Sequence, residues 1–223
     1  MTPEIHLDSY EARIFGVLVE KALTTPDQYP LSLNAATSAA NQKSNRDPVL
    51  SLSEDEVAAA LHRLEGKYMA RKVFPGNSRV EKYCHNGKDA LNLDSPALAV
   101  LAELLLRGPQ TPGDLRARAS RMTPLPALAD LMSLLDRLID RGFIQRLDPA
   151  PGSRVERYVQ LLSPDLHPLD QSRAVHAPPT AVATATASGT ADLAARVEAL
   201  ENEVERLQSQ LRALAERLGV VLQ

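Results

Sequence analysis

The side chains best suited to chemistry are concentrated between Thr24 and Glu56, in TTPDQYPLSLNAATSAANQKSNRDPVLSLSEDE. Asn, Gln, Ser and Lys crowd this passage, and Pro48 disfavours helix at Asp47. Amides and hydroxyls both donate and accept, and Lys43 and Arg46 add fixed cations. Such a set suits a shaped, contact-making segment, either a binding surface or a structural brace. Asn45 and Asp47 have a structural alternative, which is to satisfy backbone groups at a helix end. Further cations stand at Arg79 and Lys82, at Arg154 and Arg157, and at Arg116, Arg118 and Arg121. With Lys43 and Arg46 they form the expected phosphate-contacting set for a nucleic acid, DNA first.

Catalytic chemistry has no comparable signal. The chain carries no P-loop, no GxGxxG and no HExxH. Its histidines, His6, His62, His85, His167 and His176, are too dispersed for a metal set. Cys84 and His85 are neighbours in an expected strand, so they point to opposite faces and make no thiolate–imidazole pair. Cys84 reads as a small buried residue, and Tyr83 and Tyr158 as packing. The expectation is a protein that is not an enzyme, with no catalytic residues, metal or cofactor.

Composition narrows the partners. The formal net charge is −3, so any nucleic-acid contact needs a local patch. A single cysteine excludes an internal disulfide and fits a reducing compartment. The start MTPEIHLDSYEAR lacks a basic region and an apolar core, and no apolar run approaches the ~20 residues that span a bilayer. A cytoplasmic protein with no membrane contact is expected.

The elements that must position the cations follow from periodicity and caps. Residues 8–23 read as a helix with Tyr10, Ile14, Val17 and Leu18 inward. Ser32 opens a second, Ala-rich helix. Ser53 opens a third through the capping box Ser53-Glu54-Asp55-Glu56, with Val57, Leu61 and Leu64 inward, and Gly66 or Lys67 ends it. Residues 69–74 and 79–85 read as strands joined by Pro75-Gly76-Asn77-Ser78. The pattern then begins again. Residues 97–107, 111–122 and 126–141 read as helices, the last with Leu128, Leu131, Leu135 and Leu138 inward. A hairpin of residues 143–147 and 154–162 follows. Gly76-Asn77-Ser78-Arg79-Val80-Glu81-Lys82-Tyr83 answers to Gly152-Ser153-Arg154-Val155-Glu156-Arg157-Tyr158. Three helices and a hairpin, used twice, give a mostly helical tandem winged-helix protein with small β-hairpins. The domains are 1–92 and 93–163.

Residues 164–190 are rich in Ala, Thr and Pro without apolar period, and read as a disordered or extended linker. Residues 191–223 carry a heptad. Val197, Val204, Leu211 and Leu218 take position a, and Leu193, Leu200, Leu207 and Leu214 position d. Val or Leu at a with Leu at d favours a parallel two-stranded coiled coil, hence a homodimer.

TTPDQYPLSLNAATSAANQKSNRDPVLSLSEDEV, then GNSRVEKY, ELLLRGPQTPGDLRARASRM and GSRVERY, resemble the YceH family of uncharacterised bacterial proteins. The resemblance covers about residues 5–163 and leaves the heptad tail outside. It implies the tandem winged-helix fold and no activity, substrate or cofactor. Two functions are carried forward. One is DNA binding through the wings and the basic fifth helix. The other is a protein-interaction scaffold, favoured by third helices that open on Glu54, Asp55 and Glu56 or carry Asp130, Asp136 and Asp140.

Overall fold

The first unit begins with α1 (Ser9–Thr24), whose first turn is closed by a capping box. Asp8 Oδ1 accepts from the Tyr10 and Glu11 amides at 2.8 Å, and Glu11 returns a bond to the Asp8 amide at 2.8 Å. After a short 3₁₀ turn (Pro26–Gln28), Ser32 caps α2 (Leu33–Ala40) and Ser53 caps α3 (Glu54–Gly66). Strands β1 (Ala70–Val73) and β2 (Lys82–His85) pair antiparallel, with Ala70 opposite His85 and Val73 opposite Lys82. The computed structural model describes residues 5–76, 80–149, 152 and 154–168.

The short α4 (Gly87–Leu91) leads to the second unit. Asp94 caps α5 (Ser95–Arg107) and Thr111 caps α6 (Pro112–Ala119). In α7 (Leu128–Asp140) only half a box remains, because Ala127 has no side-chain acceptor and Asp130 alone accepts from its amide at 3.2 Å. Strands β3 (Ile144–Leu147) and β4 (Arg157–Gln160) repeat the antiparallel pair, with Ile144 opposite Gln160 and Leu147 opposite Arg157.

Each unit also has a one-residue third strand. Leu31 exchanges backbone hydrogen bonds with Tyr83 at 3.0 and 2.7 Å, and Gln110 with Tyr158 at 3.1 and 2.8 Å. The order helix, strand residue, helix, helix, strand, wing, strand is that of a winged helix, and it occurs twice. The third helix also ends identically in both units. Met69 N–H donates to Leu64 O and Phe143 N–H to Leu138 O, each at 2.9 Å, in a Schellman closure. The left-handed residue is Gly142 at φ 74° in one unit and Tyr68 at φ 58° in the other.

The units share a core. Helix α1 packs against α5 as well as α2 and α3, so residues 11–20 are all buried, where a one-faced stripe with Tyr10 inward was expected. Tyr10 is only partly buried. The close approach falls at Gly16, where a Cβ would stand 3.0 Å from Leu106 Cγ. The α3 and α7 stripes follow the expected inward faces, with one correction. Leu128 is 47% exposed at the first position of α7, and Leu134 is buried in addition. Of the expected linker 164–190, residues 164–168 are described and pack on the fold, and the rest lies outside the described residues. Leu166 and His167 are buried, and His167 bonds the Asp47 carbonyl through Nε2 at 2.6 Å. The heptad tail lies outside the described residues. Among the described residues, no helix is long and apolar enough to cross a membrane.

Candidate functional site

In many winged helices the third helix enters the major groove. Here both third helices face solvent with carboxylates. On α3 the exposed acids are Glu54 and Asp55, and on α7 they are Asp130, Asp136 and Asp140. The cations of these helices and their C-caps are occupied. Arg63 Nη2 lies 2.9 Å from Asp8, and Lys67 Nζ lies 2.6 Å from Glu11. Arg137 faces Asp94 at 3.6 Å. Arg141 donates to the Asn92 and Leu91 carbonyls, each at 2.7 Å. A phosphate approaching either face would meet uncompensated negative charge.

An ion pair crosses each wing, with further wing cations beside it. Lys72 meets Glu81 across the first hairpin at 2.9 Å, and Arg146 meets Glu156 across the second at 3.5 Å. The Glu81 hydrogen bond holds the Lys72 ammonium above its ordinary value, and Lys72 in turn holds Glu81 below its own. Of the expected wing contacts, Arg154 is exposed, while Lys82 and Arg157 are half-buried. Arg157 Nε is buried without a hydrogen-bond partner. Arg79 lies outside the described residues.

The polar passage is chiefly a brace. Asn41 clamps the Leu52 backbone with two bonds of 2.8 Å, one given and one received. The Asp47 amide donates to Leu106 O at 2.8 Å, tying the passage to the second unit. Arg13, fully buried, donates to Pro48 O at 2.6 Å, and burial followed by the Arg46 charge lowers its pKa to about 10. Arg46 was expected to contact a ligand, and the fold places it elsewhere. It is 5% exposed, and Nη2 and Nη1 reach the Glu20 carboxylate at 2.6 and 3.2 Å. Its remaining bonds go to Ala39 O at 3.1 Å and Asn45 O at 2.8 Å. Burial disfavours the charged form of Glu20, but the Arg46 hydrogen bonds and charge, with Lys21, hold its carboxyl below the ordinary value. The backbone carbonyl of Asn45 accepts from Arg46 and from Arg107 Nε at 3.3 Å, a role other than the helix-end one expected for its side chain.

Above this brace lies a cleft of about 650 Å³. Residues 42–45 form one wall, the last turns of α1 and α5 another, and the end of α6 the third. Three of the nine expected phosphate contacts meet here, Lys43, Arg118 and Arg121. Lys21 and Arg107 join them. Arg118 is aimed by Gln110, whose Oε1 accepts from Nη1 at 2.7 Å. Arg116, by contrast, turns to the Pro126 carbonyl at 3.3 Å. Glu103 lies at the back of the cleft, 1% exposed, with Oε1 2.6 Å from Arg107 Nη1 but outside hydrogen-bond alignment. Burial raises the Glu103 carboxyl pKa, against the pull of Arg107, Arg118 and Arg121. Lys21 and Arg107 escaped the sequence reading because they lie on apolar helices of different units, and no local pattern joins them.

The other reactive side chains singled out in the sequence are packed within the fold. Cys84 is buried, with Arg71 Nε 3.2 Å from Sγ. His85 accepts from the Gly87 amide at Nδ1, 3.2 Å, and burial, then the charge of Lys88, lowers its pKa to about 4. Tyr83 and Tyr158 are buried at the centres of their three-strand junctions. Among the described residues, no three His, Cys, Asp or Glu side chains are grouped to hold a metal.

Comparison with known proteins gives a consistent relationship. A family model described as "Protein of unknown function, DUF480" matches residues 7–153. A UPF0502 protein of Klebsiella pneumoniae subsp. pneumoniae is 44% identical over 220 residues, covering 96% of this chain and 98% of its own length. A UPF0502 protein of Geotalea daltonii is 49% identical over 178 residues, 79% of each chain. The UPF0502 protein YceH of Salmonella paratyphi A is 41% identical over 220 residues, again 96% and 98%. Matches of 96% extend into the heptad tail, which the sequence reading had placed outside the resemblance.

Proposed function

The chain belongs to the DUF480 family of UPF0502 (YceH) proteins, and we propose that it acts there as a non-catalytic docking protein whose two third helices receive a basic segment of a protein partner. One observation carries this reading. The cations of both helix faces are engaged within the fold, and the carboxylates Asp55, Asp136 and Asp140 are turned outward. Negative charge steers association with a cationic segment and repels nucleic acid. The heptad tail supports a dimer that would offer each helix twice.

The test is a pull-down with the full chain from nuclease-treated extract, run beside Asp55→Asn/Asp136→Asn/Asp140→Asn. The reading expects one protein retained by the unaltered chain and lost by the triple variant. A partner held equally by both chains rejects it. So does duplex DNA binding that falls when Lys82, Arg154 and Arg157 become Ala. Nucleic acid remains the second reading at the cleft where Lys43, Arg118 and Arg121 converge.

A further inference from the structure

We propose that this cleft is a binding site for linked phosphate groups, of the kind carried by a small polyphosphorylated anion. It stands apart from the docking reading, since no cleft residue belongs to α3 or α7. Charge accounting supports it. Arg46 offsets Glu20 from behind the wall, and Arg107 offsets Glu103. Among the described residues, Lys43, Arg118 and Arg121 remain without an ion pair around this cavity, and Lys21 is partly offset at 3.3 Å from Glu20.

The helix ends alone do not account for them. The last turns of α1, α5 and α6 line the cleft, and each carries about half a negative charge. Together they neutralise roughly one and a half cations. An excess of about two positive charges is left, which matches a di- or triphosphate better than a single carboxylate. The size agrees as well, because small-ligand sites run from about 300 to 1,000 Å³. The lining offers no aromatic face for a base to stack on, and Met122 is its one large apolar side chain. Recognition therefore falls on the phosphates. The guanidinium of Arg118 is already oriented by Gln110, whose own amide donates to Glu103 O at 3.3 Å, so less ordering is left for binding.

The experiment is isothermal titration of the full chain with tripolyphosphate at fixed ionic strength, with sulfate as the control. We expect saturable one-site binding, and weakening by about tenfold or more in Lys43→Ala/Arg121→Ala, a loss typical of one to two charged hydrogen bonds. Both side chains are exposed, so the variant should keep its melting temperature. Arg154→Ala on the second wing should bind as before. No saturation at about 10 mM anion overturns the proposal, as does binding that the double variant leaves unchanged or that Arg154→Ala weakens equally. Two further arms identify the source of the phosphates. ATP binding alone assigns a free polyphosphate. A single-stranded 12-mer that displaces tripolyphosphate from the same residues assigns a nucleic acid, with the site upheld.

Discussion

Replacing Arg46 by Met separates a brace from a ligand contact. The Arg46 side chain is 0% exposed and that of Glu20 11%. Met preserves the apolar stem but deletes two bonds to Glu20 and two to the carbonyls of Ala39 and Asn45. Glu20 would then be left nearly buried with Lys21 as its ion-pair partner among the described residues, at 3.3 Å. Removing one partner of a buried ion pair costs about 3–5 kcal/mol, because the survivor keeps its desolvation penalty. For a fold of this size each kcal/mol moves the melting temperature by about 2–4 °C, so Arg46→Met should melt about 6–20 °C lower. Circular dichroism melts and urea titrations read this directly. Adding Glu20→Met should restore most of the loss, since no charge is then stranded. The deficit should also shrink in acid, where the stranded Glu20 takes up a proton. A loss below about 1 kcal/mol, with phosphate binding abolished, would refute the reasoning and return Arg46 to the ligand.

Three further outcomes follow from other parts of the fold. His85 has a folded pKa of about 4, below the unfolded value near 6.5. Its contribution is therefore present above about pH 6.5 and lost as pH falls toward 4, by up to about 3 kcal/mol. His167 is shifted the same way by burial and adds to the slope. Urea titrations from pH 7 to pH 4 should show this loss, and His85→Gln should flatten it. Tyr68→Gly should stabilise the chain by about 1 kcal/mol, because Tyr68 is 78% exposed at φ 58°, where the second unit uses Gly142. A destabilised variant would show that the ring makes a contact worth more than the backbone strain. Deleting residues 191–223 should yield a monomer by light scattering, and an unchanged mass would reject dimerisation through Leu193, Val197, Leu200 and the heptad that follows.

The amino-acid sequence by itself determined the repeating unit. Caps at Ser32 and Ser53, the stripe Val57, Leu61 and Leu64, and the echo of GNSRVEKY in GSRVERY are local signals. They act over one helix turn or one hairpin, so they were readable without coordinates. The acidic character of the third helices was equally legible, because capping residues and exposed faces are set by near neighbours.

The tertiary structure alone decided which charges are available. Arg46 and Lys43 are three residues apart in one polar passage, yet one is buried against Glu20 and the other lines the open cleft. That difference arises because α1 packs against α5, which buries charges on both helices and draws the polar passage over their ends. The cleft likewise gathers side chains from residue 20 to residue 122. Periodicity reports which face of a helix avoids water. Whether a cation on that chain keeps its charge for a ligand depends on what distant segment arrives to neutralise it, and that is a property of the packed molecule.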